Sequence, residues 1–161
     1  MSEPPPGMEM SMSKGIRISD KKNRIVSVEL PEILNEINNG DQFVWSILYL
    51  QTTGDLGEGR SIPVFEKQII EAKSGLVISW KELNELSQRF WDLMDIIIIG
   101  CKDRNLLRRY ENDQKMYETC DIVIEMIDSG YWEVFSKDPS LIASLKAKFK
   151  DTELLEPNFE K

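Results

Sequence analysis

A glycine-rich loop holds the most enzyme-like motif of this 161-residue chain. The stretch from Gly54 to Ser61 reads GDLGEGRS, which matches the spacing G-x-x-x-x-G-K-[ST] of a phosphate-binding loop, with Arg60 in place of the lysine. Arginine does not reproduce the compact charge of lysine. Asp55 and Glu58 also bring negative charge to a loop that would hold a polyanion. We therefore expect a plain connecting loop, with nucleotide binding as the alternative.

The sequence has no histidine and two cysteines, Cys101 and Cys120. Without histidine, Ser-His and Cys-His nucleophile pairs and acid–base catalysis by imidazole are excluded. Two cysteines alone do not complete a structural zinc site. Each cysteine borders an apolar run, so we expect two buried, reduced thiols. These residue types predict a protein that is not an enzyme and that uses no cofactor or metal.

Three carboxylates could bind Mg²⁺ or exchange protons if the fold brought them together. Asp121 and Glu125 lie on one face of a predicted strand, and Asp95 precedes another strand. Nothing in the sequence fixes them near one another, so we expect solvated faces or sheet edges.

Trp91 is a candidate of another kind, because it lies off the apolar stripe of its predicted helix. An exposed tryptophan beside acidic residues would suit a protein interface. We nevertheless favour a core position for Trp91, because the other tryptophans are mostly core residues by position, and we keep the interface as the alternative.

Charge predicts the kind of partner. The formal net charge is −8, and a compact body with this charge repels nucleic acid and anionic membranes and attracts basic surfaces. Acidic residues cluster in the glycine-rich loop and around one predicted helix. We predict partner-binding residues there: Asp55, Glu58, Glu111, Asp113 and Glu118. The alternative is that the charge only keeps the protein soluble.

The elements that would position these residues alternate between strands and helices. Apolar runs at 43–50 and 96–99 predict strands buried on both faces, as in a parallel sheet. Ser79 and Glu82 form an S-x-x-E capping box that begins a helix with Leu83, Leu86 and Phe90 on its apolar side. The order predicts an α/β fold with a mostly parallel central sheet flanked by helices, a C-terminal antiparallel hairpin (120–127 with 131–136) and a final helix.

Composition divides the chain into one body and two tails. Residues 24–150 are predicted to form a single α/β domain, residues 1–23 a disordered tail and residues 151–161 an acidic C-terminal tail. No segment reaches the roughly 18 apolar residues needed to span a membrane, and the N-terminus lacks the apolar region of a signal peptide. We therefore expect a cytoplasmic protein.

The second half of the chain resembles a known family. The stretches GLVISWKEL, IIIIGCKD, RRYENDQKMYETCDIVIEM and YWEVFSKD, within residues 75–149, are similar to bacterial toxin-immunity proteins of contact-dependent inhibition and Rhs-like polymorphic toxin systems. The resemblance implies a protein that binds the C-terminal domain of a cognate toxin, often a basic nuclease, and blocks its active site. It transfers no individual residue role. An acidic regulatory or scaffold module for another partner is the alternative.

Overall fold

A computed structural model describes residues 13–156, which form nine strands and five α-helices. The strands are β1 (Lys14–Ile18), β2 (Lys21–Lys22), β3 (Ile25–Val26), β4 (Val44–Gly54), β5 (Leu76–Ile78), β6 (Phe90–Cys101), β7 (Ile122–Ile127), β8 (Tyr131–Ser136) and β9 (Thr152–Leu155). The helices are α1 (Leu30–Leu34), α2 (Ile62–Glu71), α3 (Trp80–Ser87), α4 (Asp113–Thr119) and α5 (Pro139–Lys148), with short 3-10 turns at Gly40–Gln42 and Arg104–Leu106.

Seven strands form one sheet in the order β5-β4-β6-β7-β8-β1-β9, while β2 and β3 pair as a separate ribbon. Every neighbouring pair in the large sheet is antiparallel. The prediction of a mostly parallel sheet is therefore wrong, and the fold is α+β. The predicted hairpin is confirmed, because β7 pairs with β8 along the whole of both strands.

The isoleucine run at 96–99 explains the error. Such a run predicts a strand buried on both faces, and burial on both faces is typical of parallel sheets. Here Ile96 and Ile98 pack in the main core on one face of the sheet, whereas Ile99 packs with residues of the α4 segment on the other. An antiparallel strand covered locally on both faces therefore has the same apolar sequence.

Strand β6 begins inside a stretch whose spacing predicted a helix. The capping box of Ser79 and Glu82 forms as predicted, with both reciprocal hydrogen bonds. The helix nevertheless ends at Ser87, and Phe90 pairs with Gly54 of β4. The segment that follows β6 forms a 3-10 turn and the short α4.

The structure places strands in both segments that were assigned to tails. Strand β1 lies between β8 and β9, and its Ile16 and Ile18 are fully buried. Strand β9 lies within 151–161 and pairs with β1. Residues 1–12 and 157–161 lie outside the described part of the chain.

The two faces of the sheet differ in their cover. Helices α1, α2, α3 and α5 contribute to the main core on one face, which we call the covered face. Residues 103–120 pack over Ile99, Val123 and Phe135 on part of the opposite face. We call the remainder of that opposite face, towards the β7–β8 turn, the open face. Within residues 13–156, no helix is both long and apolar enough to cross a membrane.

Candidate protein-binding surface

A bulge in β6 turns Trp91 and Asp92 away from the core. The register between β4 and β6 shifts here, so that two residues of β6 oppose one residue of β4. Phe90 and Leu93 pack against the main core, and the two residues between them are exposed. Trp91 has 69% of its surface exposed. Bulges often re-aim side chains in this way, and Trp91 is a surface residue.

Acidic residues lie on the segments that meet at this end of the sheet. Asp92 is next to the exposed tryptophan. Asp95 accepts a hydrogen bond from the backbone amide of Asp128 at 2.9 Å, which holds the β7–β8 turn beside β6. Asp55 follows β4, and its backbone amide donates to the carbonyl of Arg89 at 3.1 Å. Negative charge from three separate segments is therefore brought to the same end of the sheet.

Half-buried aromatic and aliphatic side chains continue the open face across the sheet. Tyr49 of β4 pairs with Ile97 of β6, and Ile127 of β7 pairs with Tyr131 of β8. Directly paired residues share a face of the sheet. The guanidinium of Arg17 lies over the ring of Tyr131, 4.4 Å from its centroid. Tyrosine, tryptophan and arginine are the residue types enriched at protein interfaces.

Two carboxylates lie opposite each other at the border between the open face and α4. Glu125 of β7 pairs with Glu133 of β8, and the two residues are 5% and 8% exposed. Glu133 accepts hydrogen bonds from Nε and Nη2 of Arg17 at 2.9 and 2.7 Å. The hydroxyl of Tyr117, on α4, donates to Glu125 at 2.6 Å.

The surroundings of Glu125 raise the pKa of its carboxyl group. Burial raises the pKa of Glu125 to about 7, and the nearby charges of Asp113 and Glu133 act in the same direction. The hydrogen bond from Tyr117 opposes this change. A group that titrates near neutral pH therefore joins α4 to the sheet. The sequence indicated Glu125 only as one of three carboxylates on strands, for which we expected solvated positions.

The five acidic residues predicted to contact a partner lie in two places in the structure. The loop after β4 carries Asp55 and Glu58, and the α4 segment carries Glu111, Asp113 and Glu118. All are exposed except the half-buried Glu118, whose carboxylate lies 3.8 Å from Lys115. Asp113 borders the open face, because its charge acts on Glu125. The loop after β4 lies beside the start of β6, next to Trp91.

The glycine-rich loop is hydrogen-bonded within itself. The carboxylate of Asp55 accepts from the amide of Gly57 at 2.8 Å. Arg60 donates to a carbonyl of the loop at 2.7 Å, and the hydroxyl of Ser61 caps the first turn of α2. The amide of Gly57, the guanidinium of Arg60 and the hydroxyl of Ser61 are thus engaged in internal contacts.

The other candidate carboxylates have separate structural roles. Asp121 accepts a hydrogen bond from the amide of Lys102 at 2.8 Å, whereas Asp95 holds the β7–β8 turn and Glu125 binds Tyr117. A search of residues 13–156 finds no group of three or more side chains that could hold a metal ion.

A groove of about 1040 Å³ lies at the opposite end of the sheet, between the start of α5 and the residues that follow α1. Its lining contains three lysines and three carboxylates: Lys14, Lys102, Lys137, Glu36, Asp121 and Asp138. Several are engaged, since Glu36 binds Ser144 and Lys148 and Asp138 caps α5. The balanced charge of this groove favours no class of ligand.

Comparison with protein-family models, with curated proteins and with solved structures found no match. The fold and the site define an α+β protein with one covered sheet face and one acidic, aromatic open face.

Proposed function

We propose that this protein is a binding protein without catalytic activity, and that its open face receives a basic surface of a protein partner. The observation that carries this proposal is Trp91, a large apolar side chain at 69% exposure, next to Asp92 and on the same sheet end as Asp95 and Asp128. Exposed tryptophans that become buried on binding contribute much of the affinity of protein interfaces.

The net charge of −8 supports a basic partner rather than an acidic one. Complementary charge accelerates the encounter of two proteins, whereas a desolvated aromatic anchor slows their separation. The acidic loops at the rim would accelerate the encounter, and the aromatic residues of the open face would slow the separation. Nucleic acid does not fit this surface, because the charges would repel each other.

We further propose that the partner is the C-terminal domain of a cognate bacterial toxin, which this protein neutralises in the cytoplasm by covering its active site. The resemblance to toxin-immunity proteins supports this identity. Three of the stretches that carry it contribute to β6, β7, β8 and α4, which form part of the open face and its border, whereas GLVISWKEL contributes to β5 and α3. Many such toxins are basic nucleases, which suits an acidic inhibitor.

Co-expression tests the identity of the partner. The full chain, carrying an affinity tag, is expressed with the C-terminal domain encoded immediately upstream of its gene, and the complex is purified at moderate salt. We expect a stoichiometric complex and normal growth of cells that otherwise die from the toxin domain. Absence of a complex, or a complex without rescue of growth, would contradict the immunity function.

Charge reversal tests the acidic rim. Asp55→Lys, Glu58→Lys and Asp113→Lys together should slow association by about tenfold or more at low salt, with a smaller difference at high salt because ions screen the steering. Glu85→Lys, an exposed position on α3, is the matched control. The association rate is measured by stopped flow. Equal rates for the triple variant and the wild type would show that these residues do not belong to the binding site.

A further inference from the structure

Cys101 and Cys120 meet in the core beneath the α4 segment. Cys101 ends β6, and Cys120 follows the last residue of α4. Both are free and buried, with exposures of 0% and 1%. A hydrogen bond joins the two thiols, and the sulfur of Cys120 also contacts the hydroxyl of Tyr110. Gly100 of β6 pairs with Ile122 of β7, so the backbone also brings the two cysteines together, and both side chains lie in the same buried cluster. The two free thiols are therefore neighbours, which the sequence positions did not reveal.

The hydrogen bond between the thiols makes them chemically different. The bond to Cys120, together with burial, raises the pKa of Cys101. The bond from Cys101 lowers the pKa of Cys120, against the effect of burial, and the contact with Tyr110 lowers it further. Because the thiolate is the nucleophilic form of cysteine, this arrangement favours Cys120 as the attacking sulfur and Cys101 as the sulfur that completes the reaction.

We infer that Cys101 and Cys120 form a reversible intramolecular disulfide when the folded protein meets hydrogen peroxide. The Cys120 thiolate attacks one peroxide oxygen, the O–O bond breaks, and a sulfenic acid and hydroxide result. The sulfur of Cys101 then attacks the sulfenic sulfur, the S–O bond breaks, and the departing hydroxyl leaves with the Cys101 proton as water. Two cysteines are oxidised and one peroxide molecule is reduced.

The bond would tie the end of α4 to the end of β6. The enclosed segment carries Asp113 and Tyr117, which border the open face. A crosslink of this loop length should raise the midpoint of thermal unfolding by about 5–10 °C. Both thiols are buried, so the rate depends on opening of the short α4, and we expect slower oxidation than at an exposed thiol. This inference does not depend on the identity of the protein partner.

Peroxide treatment of the folded full chain tests the inference. The protein is denatured after treatment, free thiols are alkylated, and the intact mass is measured. We expect the loss of two hydrogen atoms, no alkylation, and recovery of both thiols with a reductant. Proteolysis should then release one linked peptide pair that contains both cysteines.

The single variants Cys101→Ala and Cys120→Ala are matched controls. In Cys101→Ala, Cys120 loses the bond from Cys101 but keeps the contact with Tyr110 that also lowers its pKa, and without a second thiol its oxidation should stop at sulfenic or sulfinic acid. In Cys120→Ala, no disulfide should form within the chain. Wild-type protein that keeps both thiols, gains oxygen on separate sulfurs, or forms only intermolecular crosslinks would overturn the inference. Peptide mapping of the wild type alone gives this answer even where a variant does not fold.

Discussion

Trp45 and Trp91 lie on neighbouring strands of one sheet, yet their surroundings are opposite. Trp45 is fully buried on the covered face, where its ring stacks on Trp80 with centroids 5.1 Å apart and its Nε1 donates to the carbonyl of Gly40 at 2.8 Å. Trp91 is largely exposed at the end of the open face. Apolar area buried on folding stabilises the fold, whereas apolar area left exposed is available to a partner.

The polar groups of the two faces extend this contrast. On the covered face, Trp132 and Trp45 satisfy their indole N–H groups with backbone carbonyls inside the core. At the border of the open face, Glu125 and Glu133 are buried opposite each other with Arg17 bound to only one of them. Buried charge lowers stability unless it is fully paired. The covered face is thus built for stability, and the open face retains groups that cost stability.

The largest expected effect is on the covered face. Trp45→Ala should lower the free energy of unfolding by about 3–5 kcal/mol, because a large buried ring and its stacking partner contact are both lost. Urea denaturation measures this change. A loss below about 1 kcal/mol would mean that the core around Trp80 does not depend on this ring.

Glu125 should give the fold a dependence on pH. Its folded pKa of about 7 exceeds the ordinary value of 4.5, so the folded state favours the protonated form. The stabilisation of the fold by protonated Glu125 is complete below pH 4.5 and is lost as the pH rises through 7. The free energy of unfolding should fall by about 3 kcal/mol in total over this range.

Glu125→Gln tests this dependence, because the amide can still accept from Tyr117 and does not ionise. We expect a flatter stability profile between pH 5 and 8 and a more stable variant at pH 8, by roughly 2–3 kcal/mol. Glu153→Gln, an exposed position on β9, is the matched control. Parallel profiles for Glu125→Gln and the wild type would contradict the assigned environment.

Arg17→Met should have a smaller effect, a loss of about 1–3 kcal/mol, because the buried carboxylate of Glu133 loses two hydrogen bonds. The side chain of Arg17 is itself partly exposed, which limits the cost. Adding Glu133→Gln to this variant should recover part of the stability, since the uncharged amide is less costly to bury. No recovery in thermal or urea unfolding would show that Arg17 acts through Tyr131 instead.

Sequence signals were reliable for the elements that depend only on residues close together in the chain. The capping box of Ser79 and Glu82 depends on neighbouring residues, and it appears in the structure. The hairpin of β7 and β8 depends on one short turn and was also predictable. These elements needed no knowledge of distant contacts.

Long-range pairing was not predictable from the same patterns. Phe90 and Leu93 fit an apolar helical stripe, and only the pairing of Phe90 with Gly54, far away in sequence, makes this stretch a strand. Ile16 and Ile18 alternate in a stretch too short to be distinguished from a tail. They belong to β1, which becomes an interior strand of the sheet because β8 and β9 pair on either side of it. The parallel sheet was inferred from burial on both faces and from the alternation of strands and helices, and neither pattern fixes strand direction.

The candidate site was predictable in part. The acidic loops were visible as clusters, whereas the core position that we favoured for Trp91 is wrong, because the side chain is 69% exposed. The opposition of Glu125 and Glu133, and the contact of the two cysteines, arise from strand register and chain packing. Register is a tertiary property, so a single sequence does not reveal these pairs.

The most direct test of the central claim is the affinity of the Trp91→Ala variant for the toxin domain, with its unfolding free energy measured in parallel. Ile25→Ala, at 70% exposure on β3, is the matched control. We expect Trp91→Ala to bind about 30-fold or more weakly while its unfolding free energy changes by less than about 0.5 kcal/mol, and Ile25→Ala to bind as the wild type does. Unchanged affinity of Trp91→Ala would contradict the assignment of the open face as the binding surface.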